Sequence, residues 1–428
     1  TRTTTRPATT TTIDMEDTAL FRVDPATLQP LAGIEPIPAG DYFWGSVSND
    51  RRWLVGRAED EDGGLAEVRL IDVDAWEVVA TWQPVGYGEP HVTDDGVIYY
   101  LQGGPGWPAL KQLSRGISQD EVASELPEGF SPVAPIHQQG ELIAVHGTTG
   151  DWDGSDQKLK LVTVDMSSGT VTEIDLPQVT IGAIEQVDIG EEWFPFVGAY
   201  PAVVWDGTRA LVVHADRDVV TEVDLETGVF IDHPFGPETS ESGGLLAWLV
   251  APAQAGGMPS AETTRSAVLN PVDGLLYIAT RVGQAIVETE DDWYLRTDSV
   301  GLKVVDTNTW TLVDRLDAPI GEVDISPDGT RLLARGFTSV DRLSSTNFES
   351  HGVFVIDTSN LEVLAHHQGG EDWYNPISFS ADGRFGYVST WAKTDIVDLE
   401  WGDILGEVPG SGMPLWGEVG VMALPNTR

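Results

Sequence analysis

Apolar and polar residues alternate along most of the chain in short runs, and Asp, Gly, Asn and Ser cluster between the runs. Alternation with period two turns one side of an extended segment to a core and the other to water, so the runs predict β-strands and the clusters predict tight turns. Three stretches show the rhythm: Val323 to Ala334 reads VDISPDGTRLLA, Val353 to Leu364 reads VFVIDTSNLEVL, and Ile377 to Val388 reads ISFSADGRFGYV. Each unit is a strand, an Asp-Gly turn, a second strand, a third strand, a turn opened by Asp, and a fourth strand.

Turns of the first kind fall at Asn49-Asp50, Asp95-Gly96, Gln139-Gly140, Asp206-Gly207, Asp273-Gly274, Asp328-Gly329 and Asp382-Gly383, which gives seven inner hairpins. Turns of the second kind begin at Asp24, Asp72, Arg115, Asp165, Asp224, Asp306, Asp357 and Asp398, which gives eight outer hairpins. The surplus outer hairpin stands near the N-terminus, and a surplus inner strand, Gly417 to Leu424, stands near the C-terminus. Together they complete one more sheet and remove the free edges. The predicted fold class is all-β: a single β-propeller of four-stranded antiparallel blades over 13–428, eight-bladed and closed by pairing of the N- and C-terminal strands. Seven blades is the alternative if the irregular unit at Arg115 is misread.

The Ser-Pro-Asp-Gly turn, followed by a strand and then Val-x-Asp-Thr, resembles the repeats of YVTN and TolB-like propellers, most clearly from Val268 to Gly410. That group includes lactonase-like enzymes, subunits of amine dehydrogenases and surface proteins with no known reaction, so the resemblance implies blades rather than a reaction. Gly-His…Trp-Asp blades, Ser-x-Asp-x-Gly-x-Thr-Trp boxes and quinoprotein Trp-docking repeats are absent, which argues against pyrroloquinoline quinone chemistry.

Composition narrows the partners. Sixty-eight acidic residues against twenty-four basic ones give a net charge of −44, which repels nucleic acid and anionic lipid. Cysteine is absent, excluding disulfides, thiol nucleophiles and Cys-ligated metals. No apolar run is long enough for a transmembrane segment. Residues 1–12 contain eight Thr and read as a flexible tether of the sort that follows a cleaved signal or a lipid anchor, which points to an exported, cell-surface or extracellular protein.

In an up-and-down blade the turns joining strands one to two and three to four share one face of the disc. Every short turn above belongs to that face. The long segments Pro177 to Tyr200, Pro234 to Ser266, Arg281 to Val300 and Phe337 to Gly352 gather on the other, and are expected to be irregular loops forming a working face. Aromatic residues open the innermost strands there: Trp44, Tyr87, Trp193, Phe194, Trp373, Tyr374 and Trp416, with Glu89 and His91 close by. Such rings either wedge neighbouring blades apart or form a stacking funnel for a sugar, an aromatic or a cation.

Two groups could hold a metal. A four-residue turn over Asp357 to Asn360 would set His351 opposite His366, with His367 next to it, in reach of Zn; against this, neighbouring residues of a strand point to opposite faces. Asp151, Asp153 and Asp156 surround a Gly turn as Ca prefers, but no bidentate Glu follows at the EF-hand spacing. Gly-x-Ser-x-Gly and phosphate-cradling loops are missing. The expected function is a non-catalytic extracytoplasmic propeller that binds a protein, glycan or small ligand through its long-loop face. The alternatives are a lactonase-like hydrolase or lyase with a divalent ion near Glu89 and His91, and a metal-handling accessory protein centred on His351.

Overall fold

The structure, a computed structural model, describes residues 18–40, 43–59, 65–83, 90–102, 108–115, 121–149, 157–189, 192–236, 261–289, 292–342, 345–368, 374–390, 393–409 and 415–425. Apart from one 3-10 turn, Gly417–Val419, the regular elements in these residues are strands.

Strands follow one another as antiparallel meanders of four. The first unit is Phe43–Val47, Trp53–Glu59, Leu65–Asp72 and Glu77–Trp82; the second is His91–Val92, Ile98–Gln102, Ala109–Leu113 and Glu121–Glu125. The third runs from Phe130–Gln139 to Thr170–Leu176, the fourth from Ala202–Asp206 to Phe230–Pro234, and the seventh from Tyr374–Phe379 to Ile404–Pro409. The fifth (Ala261–Leu269 to Thr311–Leu316) and the sixth (Glu322–Ile325 to Val363–His367) lie within one ten-stranded sheet. An eighth unit combines both ends of the chain: Thr18–Arg22 pairs with Ile37–Gly40 on one side and with Val421–Pro425 on the other, and Leu415–Trp416 completes it. The C-terminal end therefore contributes two short strands around the 3-10 turn, where one strand was expected. The irregular Arg115 unit is a genuine outer hairpin, since Ala109–Leu113 pairs with Glu121–Glu125.

Alternation turns successive side chains to opposite faces, so each sheet contributes to two cores. Leu54 and Ile71 meet Leu20 and Val421 of the eighth unit, while Trp53 and Val55 meet Ile98 and Tyr100 of the second. The pattern continues through Leu110 with Ile143, Leu161 with Val212, Leu211 with Leu276, Tyr277 with Leu332, and Leu333 with Val388. The last cluster joins Phe385 and Tyr387 to Val23 and Met422, so the succession returns to the unit that holds both chain ends. Each fully buried Leu, Val or Ile stabilises by roughly 1.5–3 kcal/mol, which makes these inter-sheet cores the main cohesive element. This all-β arrangement of stacked four-stranded sheets is a β-propeller.

Turn chemistry explains why the units are sharply bounded. In the inner turns Ser48, Ser326 and Ser380 donate to the carboxylate two residues on (Asp50 at 2.6 Å, Asp328 at 2.6 Å, Asp382 at 2.7 Å). The same hydroxyls accept the backbone N–H of Trp53, Arg331 and Phe385, at 3.0, 3.0 and 2.9 Å. Ser380 is buried, so Ser380→Ala leaves two groups without their partner and is expected to cost about 1–3 kcal/mol in a urea melt. In the outer turns an Asp carboxylate accepts backbone N–H groups two and three residues ahead, as Asp224 does from Glu226 and Thr227. Neighbouring units are bolted at these turns: the hydroxyl of Tyr277 donates to Thr358 O at 3.2 Å and that of Tyr387 to Pro25 O at 2.8 Å.

Two expectations need correction. The outer turn of the sixth unit spans Asp357 to Glu362, whose backbone groups bond at 2.9 Å, and Leu361 takes φ 56°. A bulge follows, so His366 pairs with Phe354 and His367 with Val353; His351 does not face His366 across the ladder. Secondly, the long segments 182–200, 281–300 and 337–352 are not irregular where they are described. Residues 281–300 and 337–352 are strands prolonged beyond their four-stranded units as two-stranded ribbons, and 182–200 is a separate two-stranded ribbon between the third and fourth units.

Candidate functional site

The ribbons all leave the face opposite the short turns, because they are connections between strands two and three or between units. Glu192–Tyr200 pairs with Gly182–Ile189 and runs parallel to Glu262 through Thr264. The fifth-unit ribbon, Leu275–Thr289 with Asp292–Asp306, pairs through Leu295 to Asp298 with Thr338 to Asp341 of the sixth-unit ribbon, Arg331–Arg342 with Ser345–Asp357. Three ribbons and two blades thereby become one continuous ten-stranded sheet.

Polar contacts fasten its base. Asp218 receives Lys303 Nζ on both oxygens at 2.7 Å, with Arg265 Nη2 at 3.5 Å. Thr180 donates to Asp216 at 2.7 Å, and Arg217 Nη2 to Gln178 O at 2.8 Å. Between the ribbons Ser299 Oγ donates to Phe337 O and accepts Phe337 N–H, both at 3.0 Å. Arg296, Asp298, Thr338 and His351 form a chain: Arg296 Nε lies 2.8 Å from Asp298, Thr338 Oγ1 donates to Asp298 at 2.7 Å, and His351 Nε2 lies 2.9 Å from Thr338 Oγ1. Burial disfavours the Asp298 carboxylate, yet the bonds from Arg296 and Thr338 outweigh it and hold its pKa below the ordinary value. Thr338 thus joins the two ribbons, and His351 bonds to it from within the sixth-unit ribbon.

The other two histidines of that group are also engaged. His366 stacks on Phe354, ring centroids 4.1 Å apart, and donates from Nε2 to His351 O at 2.7 Å; His367 Nε2 donates to Gly402 O at 2.7 Å. A nitrogen that donates to a carbonyl carries its proton and offers no lone pair to a metal. Among the described residues no three His, Asp or Glu side chains come together to hold a metal. Asp151, Asp153 and Asp156 lie outside the described residues, as do Tyr87, Glu89 and Trp373.

Of the expected aromatic ring, Trp44 lies in Phe43–Val47 and Tyr374 opens Tyr374–Phe379; Trp193 and Phe194 lie in the first ribbon, opposite Asp188 and Val187. Trp416 is an inter-sheet wedge, buried against Leu54 and Ile71, with its indole N–H on Gly45 O at 3.2 Å.

Trp416 belongs to a layer that runs through the innermost strands. Matching register places Ser46, His91, His137, Val204, Val268, Asp324, Ser378 and Trp416 at one height, opposite Val55, Tyr99, Ala144, Leu211, Tyr277, Leu333, Tyr387 and Val421. Several of these side chains bond forward to the next unit: Ser46 Oγ to Pro90 O and His137 Nε2 to Gly207 O, each at 2.8 Å. His137 also stacks flat on Trp205 at 5.2 Å, with His146 tilted against the same indole at 5.9 Å. Burial, then His137, pushes His91 down to about 4, and burial does the same to His146. Both imidazoles are therefore neutral near pH 7. Burial raises Asp324 to about 6, with Arg335 opposing and Glu322 reinforcing the shift.

On the opposite face, at the short turns, lies a cleft of about 450 Å³ between the first and second units, lined by Arg52, Trp53, Asp94, Asp95, Gly96, Val97 and Arg115. Sequence reasoning missed it because its walls come from three turns that meet only in space.

No protein-family model matches the chain, and no curated protein sequence matches it. Solved structures resemble it. The dihydro-heme d1 dehydrogenase NirN, in complex with DHE, aligns at TM-score 0.51 and 15% identity over 93% of this chain and 74% of that one. BamB from Moraxella catarrhalis aligns at TM-score 0.49 and 12% identity, covering 94% and 97%. The β-propeller domain of Cps50 (Swd1) from Myceliophteria thermophila aligns at 0.40 and 11%, covering 89% and 95%. At such identities the likeness is one of fold: this chain is a β-propeller.

Proposed function

We propose that the chain is a non-catalytic, extracytoplasmic binding propeller, closed as a ring of eight blades and related to the YVTN and TolB-like repeats, whose ribbon face engages a partner. The observation that carries this reading is the pairing of three ribbons, on the face opposite the short turns, into one sheet, a platform that is continuous with two blades. A paired strand surface fixes side-chain positions better than separate loops do, and such prefixed surfaces lose less entropy on binding. The net charge of −44 favours a partner or ligand with basic or cationic groups and disfavours nucleic acid. Export is supported by the Thr-rich start; no helix among the described residues is long and apolar enough to cross a membrane. Sugar- or aromatic-bearing partners fit Trp193 and Phe194 on the first ribbon.

The test shortens the fifth-unit ribbon. Residues 285–295 are replaced by Asn-Gly, which suits the two-residue connection between the paired Gln284 and Arg296. Partners recovered with the intact protein are expected to bind the shortened one at least about tenfold more weakly, with melting little changed. Equal affinity for every recovered partner would remove the ribbon face from consideration.

A further inference from the structure

The cleft on the short-turn face has an organised floor. Trp53 is 2% exposed and its indole N–H donates to Asp94 O at 3.0 Å, which fixes the ring beneath the Thr93–Val97 turn. Two guanidinium groups rest against that ring, Arg115 at 4.0 Å and Arg52 at 4.5 Å from its centroid. Stacking on an aromatic face limits an arginine's rotamers while leaving its N–H edge free to bond outward. Gly96, at φ 79°, allows the approach: a Cβ there would stand 2.6 Å from Arg115 Nη2.

The two arginines differ in what holds them. Arg52 is committed to Asp72, with Nε at 3.3 Å and Nη2 at 3.1 Å from Oδ2. Arg115 forms no ion pair among the described residues, although Asp94 and Asp95 line the same cleft. Each of those carboxylates has one oxygen tied within the turns: Asp94 Oδ1 accepts Asp50 N–H at 2.8 Å, and Asp95 Oδ1 accepts the Thr93 hydroxyl. The cleft therefore presents an oriented guanidinium and two anchored carboxylates that do not neutralise one another.

We infer that this cleft binds a small zwitterion of the α-amino acid type, its carboxylate on the Arg115 guanidinium and its ammonium on Asp94 and Asp95. The guanidinium fork matches a carboxylate with two parallel bonds, and an ammonium donates to the free carboxylate oxygens. A simple anion meets the two acids and the field of a strongly acidic chain, and a simple cation leaves Arg115 unpaired. Only a ligand carrying both charges close together satisfies both sides. The cleft volume lies within the range of about 300–1,000 Å³ usual for small-ligand pockets. This site stands on the face opposite the ribbons and is independent of any partner bound there.

The full chain is titrated by calorimetry and ligand-observed NMR with L-alanine, acetate, methylammonium and triglycine, each up to about 10 mM. L-Alanine is expected to bind, and acetate and methylammonium to bind at least about tenfold more weakly. Triglycine, which holds the same two charges far apart, separates a free amino acid from a peptide and is expected to bind as weakly. Arg115→Gln and Asp95→Asn are each expected to weaken L-alanine by at least about tenfold while the melting curve is kept. If one variant does not fold, the other carries the test. The inference fails if L-alanine does not bind, if acetate binds as well as L-alanine, or if a folded variant retains full affinity.

Discussion

A chain cut after Gly420, lacking Val421–Pro425, is expected to lose its cooperative melting transition. That strand lies in the middle of the eighth sheet, between Thr18–Arg22 and Leu415–Trp416, so its removal breaks both ladders at once. Its side chains also serve two cores. Val421 packs with Leu20, Leu54 and Ile71, and Met422 packs with Phe385 and Tyr387; both are 0% exposed. Removing a buried Met side chain typically costs about 2–5 kcal/mol, and losing the whole strand exceeds the roughly 5–15 kcal/mol that holds an ordinary domain together. Circular dichroism melts and gel filtration check this: an unaltered melting temperature in the shortened chain would show that the shared sheet contributes little. Met422→Ala, which leaves the backbone ladder intact, is expected to give the smaller loss.

The second large effect is loss of stability on mild acidification. His91, His146 and His214 each have a folded-state pKa pushed down to about 4 from an ordinary 6.5, in every case chiefly by burial. The unfolded chain therefore takes up three protons between about pH 6.5 and 4 that the folded chain refuses. Stability falls as pH falls through that window, by at most roughly 3 kcal/mol per imidazole. Asp324 acts in the opposite sense. Its folded pKa is raised to about 6, so the folded form binds a proton first and recovers up to roughly 3 kcal/mol over the same interval. The net expectation is a loss of several kcal/mol between pH 7 and pH 4, read from urea midpoints at fixed salt. His146→Leu should flatten the slope and Asp324→Asn should steepen it; a profile indifferent to both substitutions would refute the assignment.

How much of this was legible in the sequence depended on whether the information was local. The hairpin rhythm was, because alternation and Asp-Gly turns act over a few residues, and the Ser326 and Ser380 turns bond as the repeated phrase implies. The outer turn at Asp357 was misjudged by two residues because Leu361 takes a left-handed conformation that its residue type does not advertise. That small difference displaced His351 from His366 and dissolved the expected pair. The ribbons were hidden for another reason: Arg281 to Val300 is long and acidic at its tip, which resembles a loop, whereas partners on either side hold it as a strand pair. His91, expected near Glu89 at the channel mouth, lies on an innermost strand opposite Tyr99, where burial lowers its pKa; its burial depends on neighbouring sheets and could not be read locally. The Trp53 cleft needed the meeting of residues 52, 96 and 115, which no single-sequence pattern encodes.

The pairing of Thr18 with Pro425 has a bearing on orientation. Val421–Pro425 runs away from the short-turn side, so Thr18 and Pro425 lie on the ribbon side. If the Thr-rich residues 1–12 fasten the protein to a surface, the platform is turned toward that surface and the amino acid cleft looks outward. On that arrangement a ligand arriving from the surroundings would meet the cleft first, and a partner of the ribbons would sit between the protein and the surface.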